Sequence, residues 1–135
     1  MPTLNRTERA PTVVLVDDDT ALRTALTFML ELDGFTVEAL SSGEALLECT
    51  LPAAPACLVL DYNLEGMSGL EALTRLRARD VSLPALLITS HPTASLRSTA
   101  AALDATIVEK PLLTDSLVSG IVAALDRQSD RLGDF

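Results

Sequence analysis

Five short apolar runs divide the chain, and a helix-forming pattern follows each one. The runs are TVVLV at 12–16, Phe35–Leu40, Ala56–Leu60, Leu83–Ile88 and Ala105–Glu109. TVVLV and ACLVL are continuous in apolar and β-branched residues, the composition of strands covered on both faces. After the first run, Leu22, Ala25, Leu26, Met29 and Leu30 recur at helical spacing and stop near Asp33-Gly34. Ser42-Gly43 opens a short helix through about Cys49, which Pro52 and Pro55 break. Ser68 and Glu71 have capping-box spacing ahead of Leu70, Leu73 and Leu76. Pro92 to Leu103 reads as a weaker, Ala-rich helix, and Thr114 or Asp115 caps a last one with Leu117, Ile121, Ala124 and Leu125 inward. Strand and helix alternating five times mean a parallel sheet with helices on both faces.

The length of 135 residues suits one domain. Residues 1–11 read as a flexible polar lead-in, 12–126 as the domain and 127–135 as a polar tail. Apolar residues make up 48% of the chain but aromatics only 3%, so the core must be built from Leu, Val, Ile and Ala. No apolar run approaches the ~20 residues of a membrane span, and the N-terminus lacks a secretory apolar region. Two cysteines, Cys49 and Cys57, are too few for a disulfide framework, and Cys57 reads as a small core residue. A cytoplasmic, reduced protein is expected. A net charge of −9 argues against nonspecific nucleic-acid binding through the whole surface and suits metal cations or a partner with a basic patch.

In an open parallel sheet, ligands bind beyond the carboxyl ends of the strands. Those ends carry Asp17 and Asp18 (strand one), Asp61 (strand three), Thr89 and Ser90 (strand four) and Lys110 (strand five). Lys110 is the only lysine among ten basic residues. Carboxylates crowded at one edge repel unless something positive is bound between them, and a hard divalent cation, Mg²⁺ or Mn²⁺, prefers oxygen ligands of this kind. One carboxylate then remains available as a nucleophile for a phosphoryl group, with Lys110 and the Thr89 hydroxyl positioned for its oxygens. Asp19 and Thr20 read as a helix N-cap with little part in the site.

VVLVDDD, LVLDYNLEGMSGLEAL, LLITS and IVEKP, in this order and each at a strand end, resemble the receiver domain of two-component response regulators. The resemblance covers about residues 12–126. It implies a doubly wound (βα)5 flavodoxin-like fold with strand order 2-1-3-4-5. It implies that Asp61 is the phosphoacceptor, that Asp18, Asp61 and the Asn63 carbonyl bind Mg²⁺, and that Asp17 assists mostly through water. Thr89 and Lys110 would contact the phosphoryl group, Thr89 moving on activation, and the Lys110-Pro111 bond would be cis. Ser90 and His91 would lie on the site rim, with Asn63 and His91 at positions that influence phosphate lifetime.

The resemblance implies a signalling receiver that catalyses only its own phosphoryl transfer and dephosphorylation. The partners it implies are a sensor histidine kinase or phosphotransfer protein upstream and a protein target or output domain outside this chain downstream. It implies no membrane and no direct nucleic-acid contact, and it admits a phosphorylation-dependent homodimer. Three positions depart from the pattern. Ile107 replaces a frequent Tyr or Phe, so an aromatic-rotamer switch is not available; Glu65 replaces a frequent Pro, and Leu103 a frequent Gly. Two other readings compete. A haloacid-dehalogenase-type phosphatase would use Asp17 as nucleophile, although Ala21 fails its motif and no acidic pair follows Lys110. A phosphate-independent interaction module would keep the fold without the switch.

Overall fold

The computed structural model describes residues 10–112 and 114–132. Five strands alternate with five helices: β1 (Thr12–Val16), α1 (Thr20–Leu32), β2 (Thr36–Leu40), α2 (Gly43–Glu48), β3 (Ala56–Asp61), α3 (Gly69–Ala78), β4 (Ala85–Thr89), α4 (Ala94–Ala102), β5 (Ala105–Glu109) and α5 (Thr114–Leu132). The strands form one sheet in the order β2-β1-β3-β4-β5, every pair parallel. The expected topology is therefore observed.

Alternation along each strand sends successive side chains to opposite faces. Val14, Val16, Leu58, Leu60, Ala85 and Leu87 pack on one face against Leu46, Leu73, Leu76 and Leu96, from α2, α3 and α4. Val13, Leu15, Cys57, Val59, Leu86 and Ile88 pack on the other, against Leu26 and Leu30 of α1 and Leu117, Ile121 and Ala124 of α5. β1, β3 and β4 are buried along almost their whole length, whereas the edge strands β2 and β5 alternate between half-buried and exposed.

Side-chain caps set most helix starts. Asp19 accepts from the Leu22 N–H, Ser42 from Ala45, Ser68 from Glu71 and Thr93 from Leu96. α4 thus begins after Thr93, two residues later than Pro92. Thr114 is the first residue of α5, and residue 113 before it lies outside the described residues. Two further expectations are corrected. Ala25 is exposed, because α1 buries only the narrow stripe through Leu26 and Leu30. α5 continues through residues 127–132, part of the expected polar tail, because Gln128 is buried and its Oε1 accepts from the Ala56 N–H at 3.2 Å. Of the expected terminal segments, residues 1–9 and 133–135 lie outside the described residues.

Candidate functional site

Parallel strands bring their carboxyl ends to one edge of the sheet, and the expected site residues meet there. Asp17 follows β1, Asp61 and Thr89 end β3 and β4, and Lys110 follows β5. Asp17, Asp61 and Thr89 are buried polar residues, only 2%, 5% and 2% exposed, while Asp18 is exposed. One carboxylate oxygen from each of Asp17, Asp18 and Asp61 lies within 4.8 Å of the others. The Lys110 ammonium reaches Asp61 Oδ2 at 3.4 Å.

Each carboxylate is also held by the backbone. The Asp19 N–H donates to Asp17 Oδ1 at 2.9 Å, and the Asn63 N–H to Asp61 Oδ1 at 3.0 Å. The Glu65 N–H donates to Asp18 Oδ2 at 2.8 Å, tying the loop after β3 to the loop after β1. Burial pushes the Asp17 carboxyl above the ordinary carboxylate range, and the charges of Asp61 and Asp18 push the same way against the Asp19 N–H and Lys110. The cluster is therefore under electrostatic strain that a bound cation would relieve. Its donors are all oxygens, the set that suits Mg²⁺.

Thr89 accepts from the His91 N–H at 3.3 Å, and its carbonyl accepts from the Lys110 N–H at 2.9 Å. The second bond sets the backbones of Thr89 and Lys110 side by side at the ends of β4 and β5. Ser90 is half-buried and His91 exposed, both in the segment that follows β4. Asn63 is exposed in the loop after Asp61. The Lys110-Pro111 peptide is cis. Ile107 is half-buried in β5 and packs on the face that carries α3 and α4.

Two contributors to the site escaped sequence reasoning. Gly69 opens α3 so close to β3 that a Cβ would collide with the Asp61 carbonyl oxygen, so only glycine permits this approach. The Met-Ser-Gly-Leu stretch that follows the loop carried that signal. Arg23, one turn into α1, donates to the Asp17 carbonyl at 2.7 Å and braces the loop that presents the carboxylates. No local pattern distinguishes it from the other arginines.

A family model described as the response regulator receiver domain matches residues 13–122. Among curated proteins, the transcriptional regulatory protein FixJ of Azorhizobium caulinodans is 33% identical, over 88% of this chain and 57% of its own length. Nodulation protein W of Bradyrhizobium diazoefficiens is 34% identical, over 88% of this chain and 53% of its own. The chain thus spans just over half the length of these relatives. The solved response regulator StyR superposes with a TM-score of 0.82 at 33% identity, covering 91% of this chain and 63% of that one. The chemotaxis protein CheY4 of Vibrio cholerae, at 23% identity and a TM-score of 0.78 over 86% of this chain and 99% of its own, shares the fold.

Proposed function

The chain belongs to the response regulator receiver domain family, and from that premise we propose that Asp61 is its phosphoacceptor. The observation that carries the assignment is the pairing of the buried Asp61 carboxylate with the Lys110 ammonium beside Asp17 and Asp18. An Asp61 oxygen attacks the phosphorus of a kinase phosphohistidine. The new O–P bond forms as the N–P bond breaks, its electron pair returning to the imidazole, and an acyl phosphate results. Asp17, Asp18, Asp61 and the Asn63 carbonyl are the groups that would hold Mg²⁺, which when bound neutralises charge on the transferring group. Lys110 releases Asp61 and takes a phosphoryl oxygen. Thr89 donates its hydroxyl proton to another, because a phosphoryl oxygen can only accept, and its oxygen keeps the bond from the His91 N–H.

The added charge, about −2 with new acceptor oxygens, biases the loop after β4 toward a second arrangement. The Lys110 N–H bond to the Thr89 carbonyl keeps the two residues side by side at the site. Ile107 supplies no ring, so the readout passes through aliphatic repacking of the α4–β5 face. The partners are a histidine kinase or phosphotransfer protein and a downstream protein or output domain, with no direct nucleic-acid contact. Among the described residues no helix is long and apolar enough to cross a membrane, and we place the protein in the cytoplasm as a signalling receiver. The dehalogenase-type reading with Asp17 as nucleophile gives way to family membership, and Lys110 pairs with Asp61.

The test is intact mass after incubation with Mg²⁺ and acetyl phosphate. The expected outcome is one phosphoryl adduct on the wild type and none on Asp61→Asn. An adduct that survives the substitution would overturn the assignment. A wild type that takes no phosphoryl group would favour the phosphate-independent module.

A further inference from the structure

The loop between β3 and α3 is anchored more firmly than its exposure suggests. At its far end, the missing Cβ of Gly69 lets α3 start against the Asp61 carbonyl. In its middle, Gly66 turns the chain at φ +81, and Met67 sits over Gly43 at the start of α2, where a Cβ would meet its Sδ at 3.3 Å. Just before these anchors, the Glu65 N–H points across the site and donates to Asp18 Oδ2 at 2.8 Å, joining segments 47 residues apart. Asp18 is the exposed member of the carboxylate cluster, so its side chain has the most freedom to lose on binding an ion.

We propose that the Glu65 backbone N–H is a positioning group that holds the Asp18 carboxylate ready for a divalent cation. The proposal rests on the receiver reading of the acidic cluster and adds a determinant of its metal affinity. A carboxylate has two oxygens, so committing Oδ2 to Glu65 leaves the other for the ion. The bond fixes the side-chain rotamer before binding and spreads part of the charge that otherwise repels Asp17 and Asp61. A proline at position 65 has no N–H and cannot make this bond. The identity of residue 65 therefore acts through its backbone, and its side chain is free to vary.

The experiment titrates MgCl₂ into metal-free wild type, Glu65→Ala and Glu65→Pro. Binding is followed by the fluorescence of Tyr62, which adjoins Asp61 and is the only tyrosine in a chain without tryptophan. Glu65→Ala keeps the N–H and should bind as the wild type does, whereas Glu65→Pro should bind roughly three- to tenfold more weakly, the size expected for one charge-assisted hydrogen bond in a solvated site. Equal affinity of the Ala and Pro variants would overturn the inference. A wild type with no saturable Mg²⁺ response would instead remove the metal site on which the inference rests. Should Glu65→Pro not fold, exchange of the Glu65 amide in ¹⁵N-labelled wild type decides. Protection that persists at saturating MgCl₂ supports positioning; protection that vanishes on adding MgCl₂ would show competition and overturn it.

Discussion

At the carboxyl edge of the sheet, three carboxylates cluster with one of them paired to an ammonium; at the amino edge, one guanidinium is spread over backbone carbonyls. Arg77 of α3 donates from Nε to the Leu103 carbonyl at 2.8 Å, and from Nη1 to Val81 at 2.9 Å and Leu83 at 2.8 Å. These carbonyls lie where α3 leads into β4 and α4 into β5, so one side chain closes two crossovers. Nearby, Gln128 pairs with the first N–H of β3. Polar groups at the amino edge meet partners of complementary sign. At the other edge, like charges are held close by the strand ends and backbone hydrogen bonds that position them. The contrast predicts that polar groups at the amino edge contribute stability, while those at the carboxyl edge cost it.

The largest expected effect comes from breaking the stable end. Arg77→Ala strips a charged donor from several crossover carbonyls and should cost about 2–3 kcal/mol of stability. Denaturant unfolding measures that cost, and acetyl phosphate labelling of Asp61 should still proceed below the unfolding transition. Loss of labelling in a folded Arg77→Ala protein would mean that the two ends are coupled. Gln128→Ala leaves the buried Ala56 N–H without its acceptor, for which about 1–2 kcal/mol is expected. A negligible change in the unfolding midpoint would show that water replaces the amide.

The smallest effect has the opposite sign and comes from the strained end. Because burial raises the Asp17 pKa in the folded chain, the folded state holds that proton more tightly than the unfolded state does. Stability therefore falls as pH rises from the ordinary carboxylate value through the raised folded value, and stays lower above it. In EDTA, Asp17→Asn should raise the thermal midpoint by a few degrees at neutral pH, and the gain should shrink toward acid. A variant less stable than the wild type at neutral pH would mean that the Asp19 N–H bond to the ionised carboxylate outweighs burial and repulsion.

Much of this architecture could be read from local pattern. Apolar runs of strand length alternating with helical spacing dictated five crossovers, and parallel crossovers necessarily gather the strand ends. Asp17, Asp18, Asp61, Thr89 and Lys110 were identifiable because each stands at the end of such a run or within two residues beyond it. The caps at Asp19, Ser42 and Ser68 were equally visible, since capping depends on three or four consecutive residues. The departure at position 65 was legible as a residue type, but not as a bond to Asp18.

The sequence by itself thus determined the elements, their parallel arrangement and which residue types gather at the carboxyl edge, all of which follow from short-range periodicity and connection rules. Tertiary structure alone decided which polar groups find one another across large separations. The turn content of the α3–β4 connection could not reveal that Arg77 would close it, because its acceptors include a carbonyl at the end of α4. The polar composition of the last residues suggested a tail, yet Gln128 is buried because the start of β3 presents an unpaired N–H there. Gly69 is required only because α3 docks against Asp61, and Ala25 is exposed only because α1 lies on the sheet along a narrow line. Each of these outcomes depends on where two separately formed elements come to rest, and hydrogen-bond satisfaction and close packing are properties of that docked pair.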